Sequence, residues 1–264
     1  MIFSTLIFFS MIMQSKSIRY KAIISSDWSE CLAPGGPFDL ISFNYPELTP
    51  RLETIFKQYT GNLISLGEAA RQIKELLPNP IAENQMDAYL DHCFATYPGV
   101  PELIQWCLNR DILFMINTTG MTGYFQRILA KGLLPEIPLL SAHPLIRYPK
   151  KNSDPVHIYS LFEIEDKAKN TAAAIKAHQI PPDKIIIMGD SGGDGPHFEW
   201  GAKVNAFLIG SMTKPSLENY CLTRNIKINF KFGSAYAPGQ DRDLKKEMQV
   251  NFMGLSPCIK EVLV

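Results

Sequence analysis

The stretch Lys184–Gly195, KIIIMGDSGGDG, joins a short apolar run to a turn carrying Asp190 and Asp194. Ile185 to Met188 is apolar without alternation, which reads as a strand buried on both faces. The glycines after it fall as G-x-x-G-G-x-G, so they do not form the G-x-G-x-x-G dinucleotide fingerprint. Similar runs occur upstream and downstream. Tyr20 to Ser26 is a strand signal that stops at Asp27, and Ile112 to Ile116 is a second buried run with Thr118-Thr119-Gly120 just past it. Further strands are predicted near Leu139 and at Ala206 to Ile209. Helical spacing fills the gaps: Val100 to Asn109, Tyr124 to Lys131, and Lys167 to His178. Strands alternating with helices predict an α/β fold, a doubly wound parallel sheet covered on both faces, with ligands at the carboxyl ends of the strands.

One region breaks the alternation. After the turn-rich LAPGGPFD (Leu32–Asp39), residues 46–97 read as helices without a strand. Leu52, Ile55, Phe56 and Tyr59 keep helical spacing, Leu66 to Leu77 ends at Pro78, and Met86, Leu90 and Phe94 stand four apart. The expected organisation is a discontinuous core, 16–45 and 98–264, with a helical cap insert at 46–97. Residues 1–15 are a separate apolar segment. Its first thirteen, MIFSTLIFFSMIM, would span about 20 Å as a helix, short of a ~30 Å bilayer core, and the positive residues Lys16, Arg19 and Lys21 follow the run instead of preceding it. A start codon assigned too early, with Met11 or Met13 the true start, a signal-like or anchoring segment, and an unusual structured N-terminus all fit. Toward the other end, Met248 to Leu255 and Ile259 to Val264 read as short apolar elements that pack back onto the core.

Composition narrows the function classes. Of 264 residues 46% are hydrophobic and 20% charged, with 26 basic against 26 acidic side chains, which excludes disorder as a whole-chain description. Zero net charge leaves no electrostatic footprint for nucleic acid or an anionic membrane, so neither is an expected partner; oligomeric state is open. Five cysteines with no C-x-x-C pair argue against a disulfide scaffold or zinc knuckle and fit a reducing, cytoplasmic location.

Four features fall at strand ends or helix starts: Asp27, Thr118-Thr119-Gly120, Lys167, and the G-D-x-x-x-D turn Gly189–Asp194. A parallel sheet gathers such positions at one edge, and together they suit phosphoryl transfer. A carboxylate can attack phosphorus and divide one displacement into two. Two anions repel, so a hard divalent cation with oxygen ligands belongs between them, and Mg²⁺ is the expected cofactor. A hydroxyl and backbone N–H groups at a Thr-Thr-Gly turn can hold the other phosphate oxygens, and a lysine neutralises charge.

At these residues the chain resembles the haloacid dehalogenase superfamily of aspartyl-nucleophile phosphatases, nearest its phosphoserine phosphatase-like branch. The family's D-x-D-x-T aligns with Asp27-Trp28-Ser29-Glu30-Cys31, its second motif with Thr118 in LFMINTTG, its lysine with Lys167, and its G-D-x-x-x-D with Gly189, Asp190 and Asp194. The resemblance, over residues 20–210, implies a Rossmann-like core with a mobile α-helical cap and a small phosphorylated substrate. It implies Asp27 as nucleophile; Asp27, the Ser29 carbonyl, Asp190 and Asp194 around Mg²⁺; and Thr118, Thr119, Gly120 and Lys167 on the phosphoryl group. Lys167 is preferred to Lys169, which would point about 200° away on a helix. A register with Ser25 as nucleophile and Asp27 as acid is the other alignment.

Cys31 in place of Thr is mild. Ser29 in place of the general acid/base Asp is not, because proton transfer to a leaving group is worth about 10²–10⁴ in rate. Acyl phosphates, anhydrides and aryl phosphates, which need less protonation, should then react faster than alkyl phosphates. Within the superfamily the alternative is a phosphonatase or dehalogenase, and outside it a non-catalytic phospho-ligand binding protein. His197, His143, Trp28, Phe38, Arg51 and Arg71 read as structural or solvated, and His92 is the insert histidine that could face substrate.

Overall fold

β1 (Ala22–Ser26) is the central strand of a seven-stranded parallel sheet in the computed structural model, which describes residues 19–36, 38–60 and 63–264. On one side of it lie β2 (Ile112–Met121), β3 (Leu139–His143) and β4 (His157–Ser160). On the other lie β5 (Ile185–Gly189), β6 (Phe207–Ser211) and β7 (Phe230–Phe232). The order β4-β3-β2-β1-β5-β6-β7 reverses direction at β1, so the crevice of the doubly wound sheet opens at the carboxyl ends of β1 and β5.

The insert after β1 holds α1 (Asp39–Asn44), a 3-10 turn at Pro46–Leu48, α2 (Thr49–Thr60), α3 (Leu66–Leu76) and α4 (Glu83–Cys93). Ser65 caps α3 by accepting from the Glu68 N–H at 3.2 Å, and the helix stops before Pro78. Its apolar stripe Leu66, Ala69, Ala70 and Ile73 is buried, while Arg71 pairs with Glu68 and Glu75 on the wet side.

The core helices are α5 (Val100–Leu108), α6 (Thr122–Ala130), α7 (Asp166–His178), α8 (Gly195–Lys203), α9 (Pro215–Thr223), α10 (Leu244–Glu247) and α11 (Ser256–Leu263). Strand alternation sorts the core into two layers. Ile24, Phe114, Ile116, Ile186 and Met188 pack with α5, α6, α11 and the insert. Ile23, Leu113, Met115, Ile185 and Ile187 pack with α7, α8 and α9. Burial on both faces is why these strands read as unbroken apolar runs.

Three elements differ from the sequence expectation. The turn-rich loop gives way at Asp39 to α1, which buries only Leu40 and Ile41 and is too short to show a period. β2 does not stop at Ile116; it runs through Thr118-Thr119-Gly120 to Met121, and its register against β3 shifts between Asn117 and Met121. The Thr-Thr-Gly stretch is therefore the irregular end of a strand, not a loop beyond it. β4, an edge strand of four half-exposed residues, HIYS, carries no burial pattern for sequence reading to catch. In the C-terminal region Phe252, Leu255, Ile259 and Leu263 are buried against the core. Among the described residues no helix is long and apolar enough to cross a membrane; the apolar N-terminal segment lies outside them.

Candidate active site

Asp27 leaves the end of β1 with its N–H donating to the Met188 carbonyl of β5 at 3.1 Å. Asp190 follows β5, and Asp194 sits in the 3-10 turn Gly192–Asp194. All three side chains are buried, and one carboxylate oxygen of each lies within 4.8 Å of the others. Asp194 is folded back over the strand end, its Oδ2 accepting from the N–H groups of Asp190 (3.0 Å) and Ser191 (3.3 Å). This requires glycine at 189, where a Cβ would lie 2.5 Å from the Asp194 Cγ.

Lys167, in the first turn of α7, is 2% exposed; its Nζ lies 2.6 Å from Asp194 Oδ1 and 3.1 Å from Asp27 Oδ1. Asn117 on β2 fixes this helix start by donating to the Lys167 carbonyl and the Thr171 hydroxyl, both at 2.9 Å. Lys169 points outward to Asp166 at 2.8 Å. Ser25 faces the other way, hydrogen-bonded to Thr171 at 2.8 Å. Thr118 is fully buried and its Oγ1 accepts from the Gly120 N–H at 3.1 Å. Thr119 is half-buried beside the hydroxyl of Tyr59, which reaches in from α2. Ser29, also half-buried, lies where the Trp28–Ala33 loop turns back on the Trp28 carbonyl.

The electrostatics follow from burial. Desolvation raises the Asp27 carboxyl above its ordinary range against the pull of Lys167, and raises Asp190 well above it against that of Lys214. Burial would raise Asp194 too, but Lys167 and two backbone N–H donors outweigh it and hold the group below the usual value. For Lys167 the same carboxylates outweigh burial and raise its pKa, so it stays charged. Asp190 Oδ1 is buried without a hydrogen-bond partner. Three buried carboxylates with an open oxygen make an all-oxygen donor set that fits a hard divalent cation.

Sequence reading missed four contributors. Lys214, past the end of β6, places Nζ 2.7 Å from Asp190 Oδ2 and also binds Glu30; its strand-end position was the available signal. Glu30 occupies the left-handed region at φ 59°. Tyr59 and Asn117 carried no local signal, since the groups they meet, Thr119 and the start of α7, lie far away in sequence. His197 is 1% exposed, with Nε2 3.0 Å from the Thr171 hydroxyl, and burial pushes it down to about 3. It is a neutral packing group. His92 lies against Phe43 within the insert.

The structure matches a phospho-aspartyl intermediate analogue of phosphoserine phosphatase over 87% of this chain and 98% of the other, with a TM-score of 0.59 at 16% identity. The fold is that of the phosphoserine phosphatases. A HAD-family hydrolase from Salmonella enterica serovar Typhi matches with a TM-score of 0.61 at 17% identity, over 81% of this chain and 68% of that one. One curated relative, 2-hydroxy-3-keto-5-methylthiopentenyl-1-phosphate phosphatase of Brevibacillus brevis, is 26% identical over 90 residues, 34% of this chain. That match spans 40% of the relative's length. No protein-family model matches the chain.

Proposed function

We propose that the chain is a Mg²⁺-dependent phosphohydrolase of a small phosphorylated metabolite, with the helices at 46–97 as its cap. The observation that carries this is Lys167 seated between Asp27 and Asp194, beside the open oxygen of Asp190, at the crevice of the sheet. The phosphate esters in the names of the curated relative and of the structural neighbours support it.

Asp27 is the nucleophile. Its carboxylate oxygen forms a bond to phosphorus as the P–O bond to the alcohol breaks, and the departing oxygen takes a proton. Water then attacks the aspartyl-phosphate, releasing inorganic phosphate and restoring the carboxylate. Lys167 holds the phosphoryl oxygens and the nucleophile together, and Thr118 with the Thr119 and Gly120 N–H groups holds the rest. Asp27, Asp190, the Ser29 carbonyl and Asp194 are the groups that would hold Mg²⁺, which supplies charge neutralisation at the reacting phosphoryl group. Ser29 offers a hydroxyl where proton transfer needs a carboxylic acid.

The test is turnover of an aryl and an alkyl phosphate with and without Mg²⁺ by wild type, Asp27→Asn and Ser29→Asp, with trapping of the phosphoenzyme. Asp27→Asn should abolish turnover and trapping. Ser29→Asp should raise alkyl phosphate turnover on the order of 10²–10⁴-fold. Equal turnover of both esters by wild type without a trappable intermediate would sink the serine argument. Thermal stabilisation by phosphate esters without turnover would replace the enzyme with a phospho-ligand binding protein.

A further inference from the structure

A narrow cleft runs from Ser29 and Gly120 at the site outward between core and insert. Trp28, Met121, Tyr124 and Phe125 line it from the core, Leu40 and Tyr89 from the insert. Among the described residues no charged side chain lines it. The aromatic walls are interlocked: Trp28 meets Phe125 edge-on at 5.4 Å, Tyr124 meets Phe125 at 5.1 Å, and Tyr89 lies 6.3 Å from Tyr124. Asp39, beside the lining residues Gly35 and Gly36, is exposed and accepts from the Gly36 N–H at 2.7 Å.

We infer that the alcohol esterified to phosphate is uncharged and apolar, an aromatic or hydrocarbon group that fills this cleft, and not an amino acid. The inference rests on the phosphohydrolase reading and names its substrate class. A phosphoamino acid would bring an ammonium and a carboxylate into the cleft. Asp39 can face the ammonium, but the carboxylate would find no cation and a repelling Asp39, and an unpaired buried charge is strongly disfavoured. An aromatic ring entering the cleft would meet the rings of Trp28, Tyr89, Tyr124 and Phe125. Within that class Ser29 favours an aryl ester, since a phenolate is stable as its anion and needs little proton transfer.

Benzyl phosphate separates the cleft from leaving-group ability, because its oxygen is alkyl like that of phosphoserine. The kcat/KM for benzyl phosphate should exceed that for O-phosphoserine on the order of 100-fold. Benzylphosphonate should bind in calorimetry, while the phosphonate analogue of phosphoserine should not. Cys93→Arg, at an exposed position on the cleft wall, supplies the missing cation and should narrow the kcat/KM ratio about tenfold. Phosphoserine turned over as well as benzyl phosphate, or equal binding of the two phosphonates, overturns the inference while the hydrolase reading stands. Benzylphosphonate binding selectively without turnover of either ester upholds the inference and sinks the hydrolase. A ratio unmoved by Cys93→Arg removes this cleft as the leaving-group site.

Discussion

Lys167 and Lys169 stand two residues apart in one helical turn with opposite surroundings, one buried among carboxylates and one in water on Asp166. Lys167→Ala should therefore abolish phosphate binding by calorimetry and leave Asp27 facing Asp194 unscreened, whereas Lys169→Ala should change neither binding nor stability by more than about 0.5 kcal/mol. Asp27 and Asp190 carry raised pKa values, so between the ordinary carboxylate pKa and the raised one the folded state binds more protons than the unfolded state. Their contribution to stability thus falls as pH rises through that window. Asp190→Asn should flatten this fall and raise the Tm of the metal-free protein near neutral pH, by about 2–4 °C for each kcal/mol of relieved desolvation. Mg²⁺, which favours the charged carboxylates, should raise the wild-type Tm and not that of the variant. Calorimetric scans across pH with and without Mg²⁺ check both. Asp27 and Asp190 were legible in sequence because each stands at the end of an apolar run, and Asp194 because it completes the G-D-x-x-x-D turn. Tyr59 was not, because only the folded insert brings its hydroxyl to Thr119.

Among the elements, the two chain segments entering and leaving the insert meet at one side chain. Arg242 donates to the Pro34 carbonyl at 3.1 Å and to the Tyr97 hydroxyl at 2.7 Å, and it is held by Glu247 at 2.7–2.9 Å and by Glu30 at 2.5 Å. Tyr97 also stacks on Phe252 at 5.5 Å, and the Phe252 N–H donates to the Pro98 carbonyl at 2.7 Å. Gly99, at φ 80°, leaves room for the Asn251 amide that a Cβ would strike. The C-terminal segment thus contacts both connections between core and insert. Arg242→Met should leave the buried Glu247 carboxylate without its cation and cost about 3–5 kcal/mol. It should also speed protease cleavage in Leu32–Asp39 and Thr96–Gly99. Urea titration and limited digestion, with and without a phosphate mimic, check these outcomes; digestion unchanged by the variant would remove Arg242 from the hinge. The Pro and Gly residues of the two connections were legible in the sequence; this fastening was not, because it joins Arg242 to Pro34 and Tyr97, more than a hundred positions away. α1 and β4 escaped for a simpler reason: each is under two turns or four residues long, and neither displays a full period.

Across the whole molecule the α/β class was legible because burial of the sheet on both faces leaves its strands continuously apolar. The β7 edge was not, since Phe230–Phe232 is three residues and largely exposed, whereas the apolar residues of 248–264 did mark the C-terminal elements that pack onto the core. The same topology sets the order in which the protein can be made. Ala22 pairs with Ile112 and Ile23 with Ile185, so the central strand is synthesised first and has both neighbours far downstream. At about 5–20 residues per second the nascent chain carries β1 for several seconds before β2 emerges, and roughly twice as long before β5 does. Through that interval AIISS has two open edges, and among the described residues only the insert helices and α5 are already built to shelter it. Ribosome-stalled chains ending before Ile112 should accordingly draw chaperones at β1, and chains extended past Gly189 should shed them.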